Sequence, residues 1–377
     1  MPTLPRPSLL TLYRRALAAC CCAASLGASA APTLTTVDLR VSRITPGIAA
    51  TGIAQGSHLA AHTTQSGDLF APTLGVARQG VLGVSDEGGL TLVATDRIRA
   101  DGSTDAASTG PLALSARGGI ARSLGFVVAV NSAGGLTYFD PQLSPSFSVS
   151  SAPGLFSLGS DLLAFDLPRG QSLFGQVNTA GAGTGLLGTT ADGRLRLVRT
   201  DGAVGSTSQV SRPLGFAADT GLAMAAGFIV GVNTQHRVNL YEPSLDLLLE
   251  NVGPAGLFSD AGDLETLSFD AGLDANLFDL QGDVIGSLGV LGLTDSGGLA
   301  YLRLDVVPGP GGASDFATLK PGLGSGLDAE GGLVLRNGIV TALAAPAAVP
   351  EPPIAALVAW ALACALRVRP RIRSSAV

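Results

Sequence analysis

The chain repeats itself, and the repeat limits what it can fold into. Five stretches share one form: VLGVSDEGGLTLVATD (81–96), FVVAVNSAGGLTYFDP (126–141), LLGTTADGRLRLVRTD (186–201), FIVGVNTQHRVNLYEP (228–243) and VLGLTDSGGLAYLRLD (290–305). Each is an apolar run, a polar turn that usually carries glycine, and an alternating run, which is the pattern of a β-hairpin. The first residue after the turn falls at Leu90, Leu136, Leu195, Val238 and Leu299, with gaps of 46, 59, 43 and 61 residues. The alternation of short and long gaps implies a larger unit of 104 to 105 residues. Leu69-Phe70, Leu173-Phe174 and Leu277-Phe278 recur at 104-residue intervals and support it.

Each large unit therefore holds two modules. Modules of this length built from four strands predict a β-propeller. Within 213–252 the strands read as PLGFAAD, GFIVGVN, RVNLYEP and LDLLLEN, and the same order fits 57–108, 110–151, 160–211 and 264–310. The last piece, 316–343, offers only about three strands. The stretch 36–44, TVDLRVSRI, alternates and has no local partner. It is expected to supply the missing outer strand and close the ring, because closure removes exposed sheet edges. The expectation is an all-β fold: a six-bladed β-propeller over 31–345, closed by an N-terminal strand, with seven blades as the next count.

Composition narrows the function. The stretch 31–348 carries 16 Lys and Arg against 28 Asp and Glu, a net charge of −12. Such a surface disfavours nucleic acid and anionic membranes. All four cysteines, Cys20, Cys21, Cys22 and Cys364, lie outside it, so it holds neither a disulfide framework nor a cysteine metal site.

The two ends read as export signals. Arg6, Arg14 and Arg15 precede a small apolar stretch and the Ala28-Ser29-Ala30 cleavage pattern, so 1–30 reads as a secretory signal peptide. Leu17-Ala18-Ala19-Cys20 has the letters of a lipoprotein box but follows Arg15 too closely to leave an apolar segment before it. Near the other end come Val349-Pro350-Glu351-Pro352, an uncharged run at 354–366, and Arg367, Arg369, Arg371 and Arg373. Thirteen residues make a helix of about 20 Å, short against a hydrocarbon layer of about 30 Å. The arginines would stay on the cytoplasmic side.

This tail, 346–377, resembles the PEP-CTERM sorting signal of Gram-negative bacteria. The resemblance implies transient membrane insertion, processing by an exosortase-type enzyme near the Pro-Glu-Pro motif, and release or attachment at the cell surface; such proteins are often encoded beside exopolysaccharide genes. In the body, 125–175 is similar to the opening of a bacterial family of uncharacterised secreted repeat domains. That family has no established activity and supports the fold alone.

Chemistry-bearing motifs are sparse. His58 and His62 share one face of a strand-like stretch, and read as surface or satisfied histidines, with no third ligand recognisable. His236 sits in a hairpin turn where other modules carry glycine, and reads as a loop residue. No His-Glu-x-x-His, Gly-x-Ser-x-Gly or P-loop motif occurs. The Gly-rich 322–332 reads as a blade loop. Ser259-Asp260-Ala261-Gly262-Asp263, and Asp274 with Asp279 and Asp283, are the carboxylate groups from which a Ca²⁺ loop could be built, although EF-hand spacing is absent. No catalytic residue and no cofactor is assigned. The leading expectation is a non-catalytic surface or matrix propeller that binds a polysaccharide or a protein. The alternative is a polysaccharide hydrolase or lyase acting from the propeller face.

Overall fold

The computed structural model describes residues 32–346 except 51, 124–125, 141–142, 144–147, 152, 168, 178–181, 201–207, 247, 270–271, 275–276, 279–285, 305–315 and 319–325. The stretches expected to be a signal peptide, 1–30, and a sorting motif with its basic tail, 349–377, fall outside them. Among the described residues no helix is long and apolar enough to cross a membrane.

Six four-stranded antiparallel sheets form a six-bladed propeller. From the inner strand outwards, blade 1 is Ala60–Thr63, Gln79–Val84, Leu90–Ala94 and Ala106–Ser108; blade 2 is Ile120–Ser123, Phe126–Val130, Leu136–Phe139 and Ser148–Ser150. Blade 3 is Leu163–Leu167, Gly183–Thr189, Leu195–Arg199 and Ser208–Val210; blade 4 is Leu222–Ala225, Phe228–Val232, Val238–Tyr241 and Leu248–Val252. Blade 5 is Leu264–Ser268, Leu288–Leu293, Leu299–Arg303 and Phe316–Thr318. Blade 6 joins the two ends of the fold: Leu333–Arg336 and Ile339–Leu343 inside, Thr33–Asp38 and Arg43–Ala49 outside.

Closure is therefore by two N-terminal strands. The stretch expected to be one strand, 36–44, spans a hairpin with a turn at 39–42. Its first half pairs as expected, with Thr36 opposite Thr341 and Val37 opposite Val340. The strand count of the last piece fails for a simple reason: Phe316–Thr318 is the outer strand of blade 5, so blade 6 starts two strands short. The inner strand of blade 4 also moves. PLGFAAD makes one bridge, Phe216 to Asn233, and the strand is Leu222–Ala225. Four small or apolar residues carry too little alternation to stand out against the longer apolar run before them.

Burial follows the ring. Six apolar clusters sit in the six wedges between neighbouring blades. Two of them depend on the N-terminal strands: Val37 and Leu39 pack with Leu267, Leu291 and Tyr301 of blade 5, and Leu34 and Ile48 pack with Val81 and Val93 of blade 1. Alternate residues of each strand face opposite wedges, so middle strands are apolar on both faces.

Odd and even blades differ in the connection from first to second strand. Blades 4 and 6 use two-residue turns, Ala226-Gly227 and Asn337-Gly338, with both residues at positive φ as a type I′ hairpin requires. Odd blades use long connections. These contain the repeated Leu-Phe pairs, with Phe70, Leu173, Leu277 and Phe278 buried as plugs over the wedges. The 104-residue period is thus a long blade followed by a short one.

Candidate functional sites on the axis and the rim

The residues just before the inner strand of each blade approach one another across the centre of the ring. In blades 1, 3 and 5 the tripeptides there are Ser57-His58-Leu59, Ser160-Asp161-Leu162 and Gly262-Asp263-Leu264. In blades 2, 4 and 6 they are Gly118-Gly119-Ile120, Thr220-Gly221-Leu222 and Gly331-Gly332-Leu333. Odd blades thus carry a charged side chain and even blades a glycine. The glycines are required by close approach: a Cβ on Gly332 would lie 2.4 Å from Leu59 N, and one on Gly221 would lie 2.3 Å from Gly262 O.

Hydrogen bonds at the axis tie the blades in sequence. Gly119 N donates to Ser160 O (2.8 Å), Gly221 N to Gly262 O (3.2 Å) and Gly332 N to Ser57 O (2.8 Å). Asp161 accepts from Leu162 N at 2.7 Å and, across to blade 4, from Leu222 N at 3.0 Å. Asp263 Oδ2 accepts from Leu333 N of blade 6 at 2.9 Å and from Leu59 N of blade 1 at 3.3 Å. The remaining seam, between blades 1 and 2, is joined by Arg122 donating to His62 Nδ1. His62 Nε2–H in turn donates to Asp68 at 2.7 Å. With Nδ1 accepting from a guanidinium, that imidazole is neutral, and burial pushes its pKa down further than Asp68 can raise it.

The odd-blade side chains meet. His58 Nδ1 hydrogen-bonds Asp263 Oδ1 and lies 3.9 Å from Asp161 Oδ1, while His58 Nε2–H donates to Gly159 O at 2.9 Å. The side chains of His58, Asp161 and Asp263 are 3%, 13% and 5% exposed. Burial would lower the His58 pKa, but the Asp263 carboxylate and then Asp161 outweigh it and lift it to about 10. Burial, with the Asp263 charge added, lifts Asp161 to about 6. The same causes lift Glu265, on the inner strand of blade 5, to about 8. At pH 7 His58 is therefore an imidazolium, Asp161 is mostly ionised and Glu265 is mostly protonated.

The second candidate site lies on the rim, on the face that carries the axial residues. A cleft of about 300 Å³ is lined by Pro213, Leu214, Asn233, Gln235, Glu250 and Asn251 among others. Its floor is a hydrogen-bond network. Asn233 Nδ2 donates to Asn239 and Asn251 Oδ1 (2.9 Å each), Tyr241 OH donates to Leu214 O at 2.7 Å, and Glu250 Oε1 lies 3.2 Å from that hydroxyl. Burial, then the Glu250 charge, push the Tyr241 pKa up, so its hydroxyl stays a donor. Among the described residues nothing in the protein uses Asn251 Nδ2, Glu250 Oε2 or the Gln235 side-chain amide.

The histidines expected to be satisfied are so: His58 and His62 are both buried and paired. The sequence reading missed their partners. The signal was present, since His58, Asp161 and Asp263 follow one another at intervals of 103 and 102 residues, each before a leucine. His236 is a loop residue as expected. It is 46% exposed at φ +56, where the equivalent turn of blade 5 has Gly297 at φ +73, and lies 3.4 Å from Asp295 and 3.9 Å from Asp260. The segment 259–263 does not form one carboxylate loop, because Asp263 turns to the axis and Asp260 to the rim. Asp274 accepts from Ser42 at 2.5 Å, and Asp279 and Asp283 lie outside the described residues.

No family model and no curated protein matches the chain. Among solved structures, AofleA from Arthrobotrys oligospora is 13% identical, with 74% of this chain and 76% of that one covered and a TM-score of 0.39. The SapL1 lectin, solved with alpha methyl fucoside, is 11% identical over 78% of this chain and 98% of that one, TM-score 0.40. BamB from Moraxella catarrhalis is 12% identical over 70% and 81%, TM-score 0.32. These likenesses are distant, and a shared architecture would not by itself carry a ligand or an activity from one protein to another.

Proposed function

We propose that the chain is an exported, non-catalytic binding propeller whose ligand is a neutral, hydroxyl-rich polymer such as an exopolysaccharide. The observation that carries this is the rim cleft of blade 4, where amide and carboxylate groups with unused hydrogen-bonding capacity line a concave site. Its volume, about 300 Å³, is at the small end of ligand pockets and suits one polar residue of a chain. Planar amides and carboxylates each present two hydrogen-bonding atoms, which suits pairs of neighbouring hydroxyls. The net charge of −12 over 31–348, with Glu250 in the cleft, favours a neutral ligand over a polyanion. The export reading rests on Ala28-Ser29-Ala30 and on Val349-Pro350-Glu351-Pro352 with its arginine tail. In this reading an exosortase-type enzyme processes the tail of a Gram-negative surface or matrix protein.

The hydrolase or lyase alternative would place its acid–base pair among the axial carboxylates. Asp161 and Asp263 are spent on backbone amides of neighbouring blades, and His58 is 3% exposed, so a polymer does not reach them. Co-sedimentation of the purified protein with insoluble neutral glucan and with polyuronate, with reducing ends assayed in the supernatant, tests the reading. Retention on the neutral polymer without release of reducing ends is expected. Retention on the polyanion alone, or steady release of ends, would overturn it.

A further inference from the structure

We infer that the propeller axis is a binding site for one divalent first-row transition ion of the zinc type, held by His58 Nδ1, Asp161 Oδ1 and Asp263 Oδ1. The three ligand atoms come from three different blades and lie within 4.8 Å of one another. One nitrogen and two carboxylate oxygens form a ligand set that zinc accepts, with a fourth position left for water. Ca²⁺, which takes six to eight oxygens, is poorly served by it.

Each ligand is aimed by a second contact. His58 Nε2–H is donated to Gly159 O, which turns Nδ1 inward. Backbone amides of Leu162 and Leu222 hold the Asp161 carboxylate, and those of Leu333 and Leu59 hold Asp263 by Oδ2, leaving Oδ1 directed at the histidine. Outer contacts of this kind orient metal ligands.

Charge supplies an independent argument. Asp161 and Asp263 lie against a single imidazole, and Glu265 follows Asp263 by two residues on the inner strand of blade 5. Among the described residues no arginine or lysine forms an ion pair with any of the three. Uncompensated buried carboxylates are costly unless they are protonated, paired or bound to a metal. A divalent ion with a neutral His58 and two aspartates has no net charge. An ion with bonds of about 2.0–2.2 Å would stand between His58 Nδ1 and the two carboxylate oxygens, in place of the direct His58–Asp263 hydrogen bond. Asp161, 13% exposed, is the edge of the site that solvent reaches.

The test uses the full chain, stripped with a chelator and titrated with Co²⁺ and Zn²⁺. One Co²⁺ per chain with visible ligand-field absorption is expected, displaced by Zn²⁺, with a rise in melting temperature that Mg²⁺ and Ca²⁺ do not give. Asp161→Asn should lose the absorption. His236→Ala, which breaks the exposed His–Asp cluster on the rim, should keep it. Should Asp161→Asn not fold, the wild-type and His236→Ala spectra decide alone. Absence of Co²⁺ absorption in the folded wild type, or its loss in His236→Ala, overturns the inference.

Discussion

Odd and even blades of this ring are built from the same four strands and do different things at the axis. Blades 1, 3 and 5 bring His58, Asp161 and Asp263 to the centre and carry long first connections plugged by Leu-Phe pairs. Blades 2, 4 and 6 bring Gly119, Gly221 and Gly332, and blades 4 and 6 turn in two residues. Six large side chains cannot share one axis, and six glycines would leave it hollow. Alternation solves the packing, with a glycine backbone closing against the polar group of the next blade. The comparison teaches that the working unit is the double blade. It also separates two kinds of polar group: those of the odd blades are buried and held by one another and by backbone amides of neighbouring blades, whereas the even blade 4 keeps an open cleft whose amides have capacity to spare.

The largest effect is expected from breaking the ring that makes the comparison possible. Removing 31–49 takes both outer strands from blade 6 and strips Leu34, Val37, Leu39 and Ile48 from two wedge clusters. Thermal melts should show no cooperative transition. A cooperative melt close to that of the intact chain would mean that the ring does not need its N-terminal strands.

Next comes an odd-blade axial group. Asp263→Ala leaves His58 without its main partner and two backbone amides without an acceptor. Breaking a buried pair from one side costs about 3–5 kcal/mol. Denaturant unfolding should show that loss, while Asp260→Ala, on the exposed rim, should change stability by less than about 0.5 kcal/mol.

The even-blade counterpart is smaller. Gly332→Ala pushes a methyl to 2.4 Å from Leu59 N and 2.5 Å from Ser57 O. Overpacking of this kind costs about 1–3 kcal/mol. A loss equal to that of Asp263→Ala would mean that odd and even positions are equivalent.

Smaller still is the pH dependence, measured with a chelator present. His58 is raised from 6.5 to about 10 in the folded chain, so its contribution is complete below pH 6.5 and is lost as pH rises towards 10. Asp161, raised from 3.8 to about 6, and Glu265, raised from 4.5 to about 8, act in the same direction: the folded chain keeps protons that the unfolded chain has released. The melting temperature should therefore be higher at pH 5 than at pH 9, and His58→Gln should flatten the decline above pH 6.5. A melting temperature that climbs from pH 5 to 9 would contradict these assignments.

The repeat made the architecture legible. Middle strands are long, apolar on both faces and separated by glycine turns, so their spacing gave six blades and a ring closed from the N-terminal side. The inner strands were harder to see. LAMA at 222–225 and IARS at 120–123 are four residues each, and their neighbours are small because the axis is crowded. The number of closing strands was missed because Phe316–Thr318 lies far from its own blade in sequence and the turn at 39–42 carries no glycine. Of the axial trio, His58 reads as a satisfied histidine and Asp263 as part of an acidic turn, while Asp161 belongs to no motif; only their shared place before a leucine, at intervals of 103 and 102 residues, links them in the sequence. The rim cleft was illegible, since Asn233, Gln235, Glu250 and Asn251 come together only through the curl of blade 4.

The claim at the centre of this account is that the rim binds and the axis holds. It is tested most directly by measuring retention on a neutral polysaccharide for three proteins in parallel: the wild type, Gln235→Ala/Glu250→Ala, and Asp161→Asn. Gln235 and Glu250 are exposed, so their replacement should leave the melting temperature within about 2 °C of the wild type. Loss of two hydrogen-bonding groups, each worth about 1 kcal/mol, should weaken retention at least tenfold. Asp161→Asn should lower the melting temperature and, below it, bind as the wild type does. Undiminished retention by the rim double variant, or loss of retention in folded Asp161→Asn, would contradict the account.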